Sequence, residues 1–287
     1  MESTEHTLLA EELRFYGLQP EDASLIRSKD GAAVARVRTG KGTAILKCFE
    51  NEAFRREITN YGILKGCGIP TIRVLGKSSR SILLEDLASS DTWRLAEEED
   101  LRSPSVIRAI AKWYKTLHAQ GSGYVKKHGA GMYEEWDLIT PENIRAIKEK
   151  YGLDGNRGLE EFTLRYGEIR ESMDLAPRTI TYNDFYYTNL AVRKDLTEAV
   201  MFDYNLLGKG ICASDIRNVT CWFSDENRDL FLSEYGETDG RLMLLDDICS
   251  PVVSLCSAMK RDIFPSWAEG AIRDLVKLPP LIARLLG

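Results

Sequence analysis

The texture of the chain changes at Leu87, and this change constrains the fold more than any single residue does. Before it, apolar residues come in short runs. Val34-Ala35-Arg36-Val37-Arg38 alternates apolar and basic side chains, the period of a half-buried strand. Ala44-Ile45-Leu46-Lys47-Cys48-Phe49 follows after Gly40-Lys41-Gly42, and so short a glycine-rich connection predicts a hairpin. Asn51 is placed to cap a helix over residues 52–65, stopped by Gly66-Cys67-Gly68 and Pro70. Residues 72–75 and 81–84 read as two more strands, and residues 7–16 as a helix ahead of them all, so the expected order is three or more strands, one helix inserted after the third, then two strands.

From Ala88 onward the period is helical. Val106, Ile107, Ile110, Ala111, Tyr114 and Leu117 fall on one side of a helix over residues 106–118. Further helices are expected at 141–150, 159–173, 214–223, 225–235, 241–258 and 267–286, with strand-like runs at 180–182 and 199–202. The expected organisation is a sheet-rich N-terminal lobe over residues 1–87 and a larger helical lobe over 88–287. A chain of 287 residues is long enough for two such cores.

Composition removes several alternatives. With 44% hydrophobic and 29% charged residues, wholesale disorder is excluded. A net charge of -6 speaks against a nucleic-acid surface. No apolar run approaches the ~20 residues of a membrane helix, and the acidic residues near the start (Glu2, Glu5, Glu11, Glu12) argue against a signal peptide. The six cysteines form no CxxC pair, and with three histidines they offer no zinc-like spacing. They read mostly as reduced core residues of a cytoplasmic protein.

The chemistry concentrates around residue 184. The β-branched run Ile180-Thr181-Tyr182 leads to Asp184, Asn189 follows before the apolar Leu190-Ala191-Val192, and Asp203 ends the run Val200-Met201-Phe202. That order offers one carboxylate base and two oxygen ligands on neighbouring strand ends. Mg²⁺ takes such ligands, one or two from protein and the rest from phosphate and water.

Here the sequence resembles the aminoglycoside phosphotransferase and choline kinase family, whose pattern is His-x-Asp-x-x-x-x-Asn followed by an Asp at a strand end. Tyr182 stands where the His is usual, with Asp184, Asn189 and Asp203 in register. Lys47 sits in the third strand like the family's phosphate-binding lysine, and Glu57 in the next helix like its ion-pair partner. Leu83-Leu84-Glu85-Asp86-Leu87 is similar to the family hinge, Leu117-His118 to its Leu-His, and Ala213-Ser214-Asp215 to the element that buttresses the catalytic loop. The turn Ser28-Lys29-Asp30-Gly31, where the phosphate-covering loop is expected, lacks a GxGxxG.

The resemblance implies an α+β, protein-kinase-like two-lobe fold: a small antiparallel sheet with one inserted helix, and a mainly helical second lobe. It implies a kinase that moves the γ-phosphate of ATP, or of GTP, to an alcohol group of a small molecule. Asp184 is the implied base, Asn189 and Asp203 the Mg²⁺ ligands, Lys47 and Glu57 the phosphate contacts, and the backbone at Glu85 and Leu87 the nucleobase contacts. A choline- or ethanolamine-type kinase is the nearest alternative, and a nucleotide-binding regulator without turnover is another. For the acceptor, Asp225 and Glu226 open an acidic stretch running to Asp247, and Tyr186 and Trp222 lie close to it in sequence. Acid beside aromatic rings suits a cationic acceptor.

Overall fold

The computed structural model describes residues 4–29 and 31–287, so Asp30 of the expected phosphate-covering turn lies outside the described residues. The chain divides into two compact units, Met1–Gly121 with Tyr182–Leu207 and Asn218–Gly236, and Ser122–Thr181 with Gly208–Arg217 and Glu237–Gly287.

The first unit opens with helix α1 (Thr4–Phe15), followed by strands β1 (Ala23–Lys29), β2 (Ala32–Thr39) and β3 (Gly42–Phe49). Helix α2 (Glu52–Gly66) is inserted before β4 (Val74–Lys77) and β5 (Ser81–Glu85), and the antiparallel order is β1-β2-β3-β5-β4. The hairpin predicted at Gly40-Lys41-Gly42 joins β2 to β3, and β1 is a strand the apolar pattern did not single out. Six of its seven residues are exposed, so it carries no burial signal. Asn51 caps α2 as expected, its side chain accepting from the Ala53 amide at 3.0 Å. One face of the sheet packs Ala33, Ala35, Val37, Ala44, Leu46 and Cys48 against Leu8 and Leu13 of α1. The opposite face carries Lys47, in register between Val34 and Ile82.

A small antiparallel sheet also belongs to this unit: β6 (Trp93–Leu95) pairs with the later β8 (Leu190–Arg193), which pairs with β9 (Ala199–Met201). It frames the segment from Asp184 to Asp203. Helix α3 (Pro104–His128) buries Val106, Ile107, Ile110, Ala111, Tyr114 and Leu117, the stripe read from its period.

The second unit is mainly helical. Helices α4 (Pro141–Lys150), α5 (Arg157–Leu164) and α6 (Tyr166–Leu175) surround, with α9 (Gly240–Ala258), α10 (Glu269–Asp274) and α11 (Leu278–Leu286), a core in which α9 is buried on nearly every side. Gly158 lets α5 reach Leu275, where a Cβ would stand 1.7 Å from the Leu275 carbonyl oxygen. A two-stranded pairing of β7 (Thr179–Thr181) with β10 (Gly208–Gly210) completes it. Helices α7 (Cys212–Thr220) and α8 (Asp225–Tyr235) lie between β10 and α9 in sequence.

Two expected helices are broken. The stretch 159–173 is α5 and α6, parted at Arg165, although the apolar spacing runs on through the break. The stretch 267–286 divides because Pro279 and Pro280 have no N–H for a helix interior and sit instead in the first turn of α11. All six cysteines are free, but only Cys48, Cys249 and Cys256 are fully buried.

Candidate active site

Lys47 of β3 is the centre of charge. Its Nζ donates to Glu57 Oε2 at 2.6 Å and to Asp203 Oδ1 at 2.7 Å. The strand fixes its Cα and the capped helix α2 brings Glu57 opposite, so the pair expected from the sequence is formed. Burial alone would lower the lysine's pKa, but the charges of Glu57 and Asp203 raise it, so it stays cationic. Glu57 is pushed up to about 7 by burial, Asp203 adding to the push and Lys47 opposing it.

Asp184 and Asn189 lie in the loop after β7. The Asn189 amide donates to Asp184 Oδ2 at 3.2 Å and to the Asp184 carbonyl at 3.3 Å. Asp184 is pushed up to about 7, first by burial and then by the charge of Asp203, against the pull of Lys47 and the Asn189 hydrogen bond. Asp203 follows β9 with φ 63°, in the left-handed region that Asp tolerates better than most residues.

Tyr182 is wholly buried and donates its hydroxyl to the carbonyl of Phe202 at 2.6 Å, next to Asp203. Its ring meets those of Trp113 and Tyr204 edge-on, each at 5.9 Å, and Tyr204 meets Tyr61 at 4.7 Å. A row of rings thus runs from α3 to α2 behind the carboxylates. His118 is buried, its Nδ1 2.8 Å from the Tyr235 hydroxyl, which makes it a satisfied core histidine.

At the expected hinge, the Glu85 amide donates to the Arg73 carbonyl at 2.9 Å, and the Glu85 carboxylate accepts from the Arg73 amide at 2.7 Å. Leu87 is buried at the start of a short 3-10 turn (Leu87–Ser89). Between them Asp86, which sequence reasoning passed over, caps that turn through the Ala88 amide and binds Arg36 of β2, Nε to Oδ2 at 2.6 Å. Burial would raise the Asp86 pKa, but the hydrogen bonds from Arg36, Thr43 and Ala88 hold it below the usual carboxylate value.

Of the residues expected to meet the acceptor, Tyr186 and Trp222 come together, their ring centroids 4.8 Å apart at 80°, and the Tyr187 ring also lies 4.8 Å from that of Tyr186. Tyr186 is 38% and Trp222 42% exposed, unusual for large rings in contact with one another. Asp225 instead pairs with Arg228 in the first turn of α8, at 3.1 Å, and Glu226 is exposed beside it. Glu98 and Glu99, which the sequence reading left out, add a smaller upward push to the Tyr187 pKa, after Tyr186 and burial.

The donor set suits a hard cation. Asn189 uses its amide nitrogen on Asp184, and Asp203 commits one carboxylate oxygen to Lys47, so each retains a side-chain oxygen as a ligand. Among the described residues no group of three or more His, Cys, Asp or Glu is arranged to hold a metal by itself. Two protein oxygens with phosphate and water completing the shell is the manner of Mg²⁺.

Residues 22–247 match the family model for the phosphotransferase enzyme family (APH). The chain belongs to that family. No curated protein matches this phosphotransferase in sequence. Among solved structures it is similar to choline kinase LicA from Streptococcus pneumoniae, at 14% identity and a TM-score of 0.66, covering 98% of this chain and 100% of that one. Macrolide 2'-phosphotransferase MphH from Brachybacterium faecium gives 14% and 0.61 over 94% and 98% of the two chains. Spectinomycin phosphotransferase, solved with ADP and spectinomycin, gives 11% and 0.59 over 94% and 93%. At these identities the likeness shows the fold. The protein-kinase-like two-lobe architecture and the phosphotransferase class expected from the sequence both hold. No helix among the described residues is long and apolar enough to cross a membrane.

Proposed function

We propose that this phosphotransferase is a cytoplasmic small-molecule kinase that moves the γ-phosphate of ATP to a hydroxyl of a cationic acceptor. The observation that carries the reading is the double ion pair of Lys47. Residues from β3, α2 and the end of β9 meet at one ammonium, within the unit that also holds Asp184 and Asn189.

Phosphoryl transfer passes through a loose transition state, so positioning and charge do most of the catalysis. Lys47, aligned by Glu57, contacts the phosphates. Asn189 and Asp203 hold Mg²⁺, which when bound supplies positive charge to the triphosphate oxygens. Backbone groups at Glu85 and Leu87 meet the nucleobase. Asp184 accepts a hydrogen bond from the acceptor hydroxyl and takes its proton as the oxygen bonds to phosphorus and the bond to the bridging oxygen of ADP breaks. A carboxylate pushed up to about 7 suits that task near neutral pH.

The exposed rings of Tyr186 and Trp222, with the half-buried Tyr187 beside them, support a cationic acceptor, because a cation is attracted to ring faces by about 0.5–2 kcal/mol. Glu98 and Glu99, with Asp225 and Glu226 on α8, supply the charge to draw it in. The free thiols fit a reducing compartment. The reading is tested by incubating the protein with labelled ATP, Mg²⁺ and a panel of aminoglycosides, choline, ethanolamine and neutral sugars. Transfer to an amine-bearing alcohol, abolished in Asp184→Ala with nucleotide affinity within a few-fold, is the expected result. Transfer to neutral sugars alone would remove the cationic acceptor, and failure with every acceptor despite bound nucleotide would favour a regulator.

A further inference from the structure

The six residues from Phe202 to Leu207 are gripped by their backbone carbonyls. The Phe202 carbonyl accepts from the Tyr182 hydroxyl. Asn60 of α2, itself buried, donates its amide to the Tyr204 carbonyl at 2.8 Å and to the Leu207 carbonyl at 3.4 Å. Arg56, one helical turn earlier on α2, donates to the Asn205 carbonyl. Asn183 donates its amide to the Leu206 carbonyl at 3.0 Å. Four side chains thus satisfy five carbonyls of one short segment, and the remaining member, Asp203, is held by its carboxylate on Lys47. Backbone-to-backbone bonding adds the Phe202 amide donating to the Asn189 carbonyl at 3.0 Å and the turn bond from the Leu207 amide to the Tyr204 carbonyl at 3.2 Å.

Asn183 has a second property. It immediately precedes Asp184, and its φ is 67°, as left-handed as that of Asp203. Asn accepts this region at lower cost than most residues and can bond locally from it. The loop that carries one carboxylate therefore reaches directly onto the turn that carries the other. Nothing in the roles given above to Asp184, Asn189 and Asp203 requires a side chain at position 60 or 183, yet both are spent on that one turn.

Resting on the kinase reading, the geometry points to Asn183 and Asn60 as positioning residues of the phosphotransfer site. Asn183 ties the turn after Asp203 to the loop of Asp184, and Asn60 ties the same turn to the helix of Glu57. Together they set where the Asp203 carboxylate stands relative to Asp184. Their loss leaves the residues that touch nucleotide in place but frees the orientation of Asp203.

The variants are chosen so that the backbone tolerates them. Asn183→Gly keeps a residue at ease with positive φ and removes the amide, and Asn183→Asp keeps the size and removes the donor. Asn60→Leu is the buried counterpart, and Tm is followed for all three. The first measurement is calorimetric binding of a non-hydrolysable ATP analogue to the full chain, with and without Mg²⁺. The second is hydrogen exchange of residues 202–207 in the ligand-free protein. For the Asn183 variants the expected result is metal-free affinity within about twofold of the parent, and loss of roughly tenfold of the gain that Mg²⁺ gives the parent. Faster exchange at 202–207 should accompany it, with Tm lowered by no more than about 4 °C. If both Asn183 variants keep the full Mg²⁺ gain and the parent's exchange, the assignment is overturned, whether or not Asn60→Leu folds. If the parent shows no Mg²⁺-assisted nucleotide binding, the kinase reading falls and this assignment with it.

Discussion

The hydroxyl of Tyr182 and the carbonyl of Phe202 are 2.6 Å apart, although the two residues lie twenty positions apart in the chain. The residue that stands where the family has His thus reaches the backbone beside Asp203. A phenol on a buried strand end braces that backbone from its own side. Tyr182→Phe should keep the ring contacts with Trp113 and Tyr204 and lose only the hydroxyl's hydrogen bond. We expect about 1 kcal/mol of lost stability and a larger proportional fall in kcat, measured by thermal unfolding and by steady-state phosphotransfer. A kcat unchanged in Tyr182→Phe would mean that the phenol braces nothing of catalytic use.

Lys47 neutralises two carboxylates at once, so its removal should be felt as charge. In Lys47→Met, Glu57 loses the cation that opposes its burial and still faces Asp203, so its folded-state pKa rises further. The folded state then binds more protons than the unfolded chain above about pH 4.5, so stability must fall as pH rises. We expect a loss of about 3–5 kcal/mol at pH 8, much of it recovered at pH 5.5. Denaturant titrations at the two pH values measure it, and a pH-independent loss would argue against the pairing.

Asp184 is a carboxylate held where burial and Asp203 disfavour its charge, with its pKa raised to about 7. For a raised carboxyl group the sign is opposite to the usual salt-bridged case: stability is highest below the unfolded pKa near 4 and is lost as pH rises toward 7. Asp184→Asn, uncharged at every pH, should therefore stabilise the protein at pH 8 by about 1–4 kcal/mol, while ending turnover. The gain should vanish near pH 4, where both side chains are neutral. Tm measured across that range in the parent and the variant tests both the size and the direction.

Arg36 and Asp86 join the second strand to the expected hinge. Arg36→Leu would leave a nearly buried carboxylate with only Thr43 and backbone donors. We expect the KM for ATP to rise several-fold with kcat reduced less, because the hinge loses its anchor and the carboxylates keep theirs. The stability cost should be about 1–3 kcal/mol. In the parent, Asp86 is held below its usual pKa, so its contribution is present above about pH 4 and lost as pH falls further. Kinetics at varied ATP separate KM from kcat, and equal falls in both would point away from the hinge.

Local pattern determined much of this protein. The β2–β3 hairpin, the Asn51 cap, the stripe of α3 and the matching bounds of α4 and α8 follow from the spacing and chemistry of residues next to one another. The order of Lys47, Glu57, Asp184, Asn189 and Asp203 resembles the family's pattern, and the fold brings Lys47 onto Glu57 and Asp203 and the Asn189 amide onto Asp184. Tertiary structure alone decided which ordinary side chains serve it. Asn60 reaches a carbonyl 144 positions away, and Arg36 a carboxylate 50 positions away. A side-chain amide can satisfy any carbonyl that folding brings within reach, so no local pattern marks the one it will hold. Glu98 and Glu99, which push up the Tyr187 pKa, lie almost ninety residues upstream, just after β6, the strand that pairs with β8. An exposed strand such as β1 and a helix break that leaves the apolar period intact are likewise invisible to periodicity, since neither alters which residues are apolar.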